Sequence, residues 1–188
     1  MAITRQDLGH GVGLRPKHFG RFFEGRPPVD WVEATSENFM APGGRPIAVL
    51  EKVRRDVPVV LHGVSLSIGA VDPLNADYLD DLRDLIRRTD PALVSDHLCW
   101  GSHGGRYAHD LWPLPYTEEA VAHVVARLAV VQETLGRQIL LENISSYGLL
   151  PRFNHAGMGI SYRRRRAGRL RNPARREQRV RQQQESRV

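Results

Sequence analysis

The chain has 188 residues and a formal net charge of +6, and 41% of its residues are hydrophobic. This composition is typical of a globular domain and excludes a coiled coil, a collagen-like chain or a disulfide scaffold, since Cys99 is the single cysteine. No stretch approaches the roughly 20 apolar residues of a membrane span, and residues 1–20 show no signal-peptide pattern, which predicts a cytoplasmic protein.

Short apolar runs alternate with segments of helical period, the pattern of repeated βα units around a parallel sheet. Thr117 is a plausible N-cap of the clearest helix, and Gly136 follows its last apolar residue. In chain order the predicted elements are strands 12–14 and 31–34, helix 47–55, strand 57–61, helix 76–88, strand 92–95, helix 117–135 and strand 138–141.

The third and fifth predicted strands are almost continuously apolar, which indicates a sheet covered on both faces. This favours a barrel or a doubly wound sheet over a sandwich. An eight-unit barrel takes about 250 residues, so five units in this length predict an incomplete TIM (β/α)8-type barrel. We expect residues 1–159 to form its N-terminal part.

The basic charge lies at one end of the chain. Residues 160–188 contain 11 Arg and two Glu, whereas the preceding 159 residues contain 16 basic and 19 acidic side chains. Apolar residues are sparse in the basic segment, so we expect it to be disordered.

Polar residues able to bind a metal follow four of the predicted strands, and the carboxyl ends of barrel strands open on one face. Histidine and carboxylate without thiolate suit iron, manganese or zinc. A single histidine at a strand end is more often structural, but the joint pattern of two histidines and a glutamate makes a metal site as well supported as a structural role. The second strand runs into Glu33 and is followed by Glu37 and Asn38, His62 follows the third strand, Asp96 and His97 follow the fourth, and Glu142 and Asn143 follow the fifth.

Several of the polar residues are weaker candidates for a functional site. Glu33 and Glu37 could instead cap a loop or pair with arginine. His103 and His109 lie in a glycine-rich segment, 101–110, which predicts a loop over the active face, and His123 is expected on a helix surface.

Two further features are set aside. Cys99 is expected to be a buried apolar thiol rather than a ligand or nucleophile. The GVG run at 11–13 lacks the third glycine and the following helix of a dinucleotide-binding fingerprint.

Five motifs, GVGLRPKHF, VDWVEATSENFM, VVLHGVSLSIG, LVSDHLCW and ILLENISSY, stand in this order within residues 9–155. Together they resemble the domain of unknown function 692 family of multinuclear non-haem iron-dependent oxidative enzymes. The resemblance implies a TIM barrel with two or three irons at the strand ends. Such enzymes use dioxygen to modify residues, chiefly cysteines, of ribosomally made precursor peptides, as in methanobactin biosynthesis, often with a separate peptide-recognition protein.

The resemblance also implies roles for single residues. His62, His97 and Glu142 would be iron ligands, with Glu142 bridging two metals. Asp96 and Asn143 would orient these ligands, and we place Glu33, Glu37 and Asn38 around them. The remaining family ligands come later in the barrel, and this chain has no His or Asp after His155. We therefore expect a C-terminally truncated member that is largely inactive by itself.

A reading-frame change would explain the basic segment. Family members continue with a strand of the type LLDVNNVYV at this point. Residues 159–188, back-translated with suitable codons and read from the second base, give EFPTAVVAQAGCGILLDVNNVYVSSKNHG. We hypothesise out-of-frame translation from about residue 160, and the nucleotide sequence there would decide it.

Two alternatives stay open. The chain could belong to another kind of metal-dependent TIM barrel, such as a sugar isomerase or an abasic-site endonuclease. It could also be a nucleic-acid-binding module acting through the arginine segment, in which case deleting 160–188 would abolish a steeply salt-dependent binding.

Overall fold

The computed structural model describes residues 7–25 and 27–144. Short 3-10 turns cover Pro16–His18 and Ser36–Asn38. The basic segment, the reading-frame hypothesis and any ligand after the fifth motif lie outside the described residues. The main elements are β1 (Gly11–Gly13), α1 (Phe19–Glu24), β2 (Trp31–Thr35), α2 (Arg45–Val53), β3 (Val59–Gly63), α3 (Ala76–Thr89), β4 (Leu93–Leu98), β5 (Trp100–His103), β6 (Arg106–Trp112), α4 (Glu118–Leu135) and β7 (Leu140–Asn143).

Strands β1, β2, β3, β4 and β7 form a five-stranded sheet in that order. The β1–β2, β2–β3 and β4–β7 pairs are parallel, with Val32 opposite Val59 in the second pair. In the part of the chain that the structure describes, one α-helix lies between each strand of this sheet and the next. The predicted parallel α/β architecture is confirmed.

The described residues divide into two compact units, and the first comprises 7–64, without residue 26, and 80–94. Along β2, Val32 and Ala34 are fully buried, whereas the alternate residues are half-buried. Such alternation assigns one strand face to the core and leaves the other for polar side chains. Helix α2 adds the buried positions Ile47, Leu50 and Val53 at helical spacing.

The second unit comprises residues 65–79 and 95–144. Its main helix, α4, begins as predicted, because the Thr117 Oγ1 accepts a hydrogen bond from Ala120 N at 3.2 Å. It ends at Gly136, whose φ of +64° is the left-handed conformation that favours glycine. Within the described residues, no helix is both long enough and apolar enough to cross a bilayer.

The predicted loop over residues 101–110 is wrong. Strands β5 and β6 form an antiparallel hairpin, in which His103 pairs with Arg106. Gly104 and Gly105 have φ values of +57° and +72°. Two successive glycines with positive φ make the tight turn that a two-residue hairpin requires. The glycine-rich composition therefore marks a hairpin turn rather than an irregular loop.

Several strand boundaries also differ from prediction, and β4 (Leu93–Leu98) continues three residues past the predicted 92–95, through Asp96 and His97. Strand β3 begins at Val59 rather than at residue 57, because Val57 N donates to Val53 O and so ends the turn after α2. Strand β7 runs from Leu140 to Asn143, two residues beyond the predicted bounds. Both predicted ligands of these segments, His62 and Glu142, thus lie inside strands rather than after them.

Candidate metal centre

Neighbouring strands β4 and β7 bring His97 and Glu142 together. The register pairs these two residues directly, and paired residues of adjacent strands share a face of the sheet. The His97 Nε2 lies 3.9 Å from the Glu142 Oε2. That separation is too long for a hydrogen bond. The two side chains could therefore hold a cation between them.

His62 lies one residue before the end of β3, half-buried and paired with Thr35 of β2. One donor atom from each of His62, His97 and Glu142 lies within 4.8 Å of the others. Among the residues that the structure describes, no other set of three His, Cys, Asp or Glu side chains has this spacing. Two imidazoles and a carboxylate make a possible metal site.

Asp96 contributes to the site through the main chain. It is buried and pairs with Leu141, so it belongs to the strand face opposite His97. Its Oδ1 accepts a hydrogen bond from His97 N at 2.7 Å, and its Oδ2 accepts one from Leu66 N and one from Tyr78 Oη, both at 3.4 Å. The carboxylate therefore fixes the backbone at His97 and ties the 65–79 segment to β4.

Glu37 has a comparable position in the first unit. It lies in the 3-10 turn after β2, and its Oε1 accepts a hydrogen bond from Val64 N at 2.8 Å. Val64 follows His62 by two residues, so the carboxylate holds the chain at the end of β3. Capping a loop was one of the roles that the sequence left open for Glu37, and this contact is such a cap.

The other residues predicted around the site lie inside a strand, on the surface or on the strand face opposite Glu142. Glu33 lies inside β2, two residues before its last residue, Thr35, just as it lay inside the predicted strand. Asn38 is exposed. Asn143 pairs with Leu98, which places it on the strand face opposite Glu142. Their roles around a metal stay predictions.

The sequence also gave no sign of how the segment 68–72 is held. The His123 Nε2 donates to Ala70 O at 2.9 Å, so His123 is half-buried rather than on the surface as predicted. Arg127, one turn later, donates to Ile68 O at 2.9 Å and to Asp72 O at 2.8 Å. Burial lowers the pKa of Arg127, and the charge of Asp72 opposes that shift. Helix α4 thus binds three alternate carbonyls of the segment.

Cys99 is fully buried directly after β4, as predicted. Burial, and secondarily the negative charge of Asp96, raises the pKa of the thiol to about 12. The thiolate is the reactive form, so we expect Cys99 in the folded chain to resist iodoacetamide at pH 8 and to react fully in denaturant. Mass spectrometry of the alkylated chain measures this; rapid labelling under native conditions would contradict the buried position.

Comparison with known proteins identifies the relationship. Residues 9–156 match the family of RiPP precursor modification enzymes MbnB/TglH/ChrH. The chain belongs to this family. A UPF0276 protein of Anaeromyxobacter sp. (strain Fw109-5) is 76% identical over 147 residues, which cover 78% of this chain and 52% of that protein. A UPF0276 protein of Caulobacter vibrioides (strain NA1000 / CB15N) is 54% identical over 140 residues, covering 74% and 50%.

This member of the MbnB/TglH/ChrH family spans about half the length of the curated relatives it matches. Among solved structures, it is similar to the 3-keto-D-glucoside 4-epimerase YcjR of E. coli, with a TM-score of 0.54 and 14% identity. The similarity covers 86% of this chain and 65% of the epimerase. It concerns the fold alone, and it agrees with the predicted TIM-barrel type of α/β architecture.

Proposed function

We propose that this chain binds iron through His62, His97 and Glu142 and serves the dioxygen-dependent oxidation of cysteines in ribosomally made precursor peptides. The family match supports a peptide substrate, since the family consists of RiPP precursor modification enzymes. The observation that carries the metal assignment is the grouping of the three donor side chains within 4.8 Å.

The donor set fits a cation. Two donors that each bind the same ion at about 2.1 Å lie at most about 4.2 Å apart. The His97–Glu142 separation of 3.9 Å is within this limit, and the three donors, spread over up to 4.8 Å, would have to draw together slightly around an ion. Two histidines and one carboxylate with open positions are the ligand set of non-haem iron(II) oxygenases. Iron bound there would supply the reduction of dioxygen and an open position for a substrate thiolate.

The protein's own contribution is to hold these donors in place. Asp96 fixes the main chain at His97, and Glu37 fixes it two residues after His62. The Glu142 side chain is 42% exposed and offers two oxygens. Its accessibility supports the proposal that Glu142 would help to hold more than one ion.

An anaerobic iron titration tests the proposal. We expect the purified chain to bind Fe(II) but to be largely inactive by itself, whereas a protein extended in the restored reading frame should, after admission of air, also consume dioxygen in the presence of a cysteine-containing peptide. The matched control is His109→Asn, which removes an exposed histidine of β6 outside the group. Asn tolerates the positive φ at that position. Absence of Fe(II) binding by the wild-type chain would contradict the proposal.

A further inference from the structure

A cavity of about 620 Å³ lies in the second unit, between the 69–71 segment, the hairpin and the start of α4. Val71, Trp100, Leu114 and Ala120 supply apolar surface to its wall. Its volume is within the range of about 300 to 1,000 Å³ that is typical of ligand-binding pockets. None of the metal ligands proposed above lines it.

The cavity wall is held in position by contacts of its own. Trp100 donates its indole N–H to Pro113 O at 3.3 Å and stacks on Trp112, with ring centroids 5.9 Å apart. Gly69 lets the opposite wall approach, because a Cβ there would lie 2.6 Å from Leu114. The hydrogen bond from Gly69 N to Cys99 O, at 2.8 Å, ties this wall to the chain after β4. A ligand would therefore meet a preformed surface.

The residues that line the cavity indicate what kind of ligand it would bind. Val71 is 76% exposed and lines the cavity, so it offers apolar surface to a ligand. Glu119 is exposed and also lines the cavity, whereas the lining contains no Lys, Arg or Asp. A ligand that carries an apolar group beside a positive charge would match both the apolar surface of Val71 and the carboxylate of Glu119.

The cavity also lies close to the candidate metal centre along the chain. Trp100 follows His97 by three residues, and an extended chain spans at most about 3.6 Å per residue. Their Cα atoms are therefore no more than about 11 Å apart. A peptide seated in the cavity would have its neighbouring residues within reach of His97.

We propose that this cavity binds an apolar side chain of the precursor peptide, with an adjacent Lys or Arg of the peptide facing Glu119. The inference rests on the proposed function for the identity of the ligand as a peptide. The binding itself needs no metal, so the two proposals can fail separately.

Dipeptide titrations of the full chain in EDTA test the cavity. The probe is acetyl-Leu-Lys-amide, and the signal is the NMR shift of the Trp100 indole N–H, assigned with a Trp100→Phe variant. Acetyl-Ser-Lys-amide removes the apolar group, and acetyl-Leu-Glu-amide reverses the charge. We expect acetyl-Leu-Lys-amide to bind in the millimolar range and both comparison peptides to bind more weakly.

Variants locate the binding. Val71→Asp should weaken the acetyl-Leu-Lys-amide complex at least about tenfold, since a charge replaces exposed apolar wall. Glu119→Gln should weaken it about threefold, as expected for an exposed ion pair, and leave acetyl-Leu-norleucine-amide unchanged. The matched control Val130→Asp alters a half-exposed valine of α4 that does not line the cavity.

The outcomes separate clearly. Equal binding by Val71→Asp and the wild type, or equal affinity for the Ser and Leu peptides, would overturn the cavity proposal. A His97→Ala chain should still bind the dipeptide. Loss of iron binding together with retained dipeptide binding would leave the cavity proposal standing without the metal centre.

Discussion

His97→Ala should bind Fe(II) at least about 100-fold more weakly than the wild-type chain, since even residues that only support ligands are worth 10- to 100-fold in metal affinity. His97 supplies the most enclosed donor of the pair, with 13% of its side chain exposed, and its Nε2 lies 3.9 Å from Glu142. Alanine removes that donor from the group of three. Isothermal titration under anaerobic conditions measures the change.

Glu142→Gln is the companion variant. Glutamine keeps the length of the side chain and one carbonyl oxygen but loses the negative charge that attracts the cation. We expect a similar loss of affinity, with the free energy of unfolding of the metal-free protein changed by less than about 0.5 kcal/mol because the side chain is partly exposed. Unchanged Fe(II) affinity in both variants, measured beside His109→Asn, would exclude this pair as ligands.

Asp96→Ala should lower the free energy of unfolding by about 3 kcal/mol or more. The carboxylate is 3% exposed and accepts hydrogen bonds from His97 N, Leu66 N and Tyr78 Oη. Each buried donor left without a partner costs roughly 1–3 kcal/mol. Urea denaturation of the metal-free chain measures the change, and Asp81→Ala, an exposed aspartate of α3, should stay within about 0.5 kcal/mol of the wild type.

Milder variants separate the contributions of Asp96. Tyr78→Phe removes one hydrogen bond and should cost about 1 kcal/mol. Asp96→Asn keeps one accepting oxygen, so it should fold and yet bind Fe(II) about 10-fold more weakly, as a displaced ligand support does. Wild-type stability and wild-type iron affinity in Asp96→Asn would show that the carboxylate does not position His97.

Much of the sheet was predictable because its buried strands are apolar and its helices have a clear period. Strand ends were not. The predicted strands 57–61 and 138–141 stop where apolar residues give way to His62 and Glu142, but the hydrogen-bonded ladder continues through these polar residues. Side chains at the end of a strand can face a polar site while the backbone keeps its pairing. Apolar periodicity therefore underestimates a strand where its ligands begin.

The three proposed ligands were found because they occupy equivalent ends of consecutive strands, whereas the supporting contacts depend on tertiary placement. The sequence places Asp96 beside His97, but only the register shows that it belongs to the other face and acts on the backbone. Neither the hairpin nor the cavity beside it has a periodic signal, since the hairpin is largely exposed. Glycine content alone does not separate a turn from a loop.

The main-chain anchoring of residues 68–72 has an evolutionary consequence. His123 and Arg127 grip carbonyl oxygens, which every amino acid carries, and make no demand on the side chains of the segment they hold. Mutation can therefore replace Val71 with residues of other size or charge while the course of the backbone is preserved. Evolution could therefore change the ligand preference proposed for the cavity without changing the strands that carry His97 and Glu142.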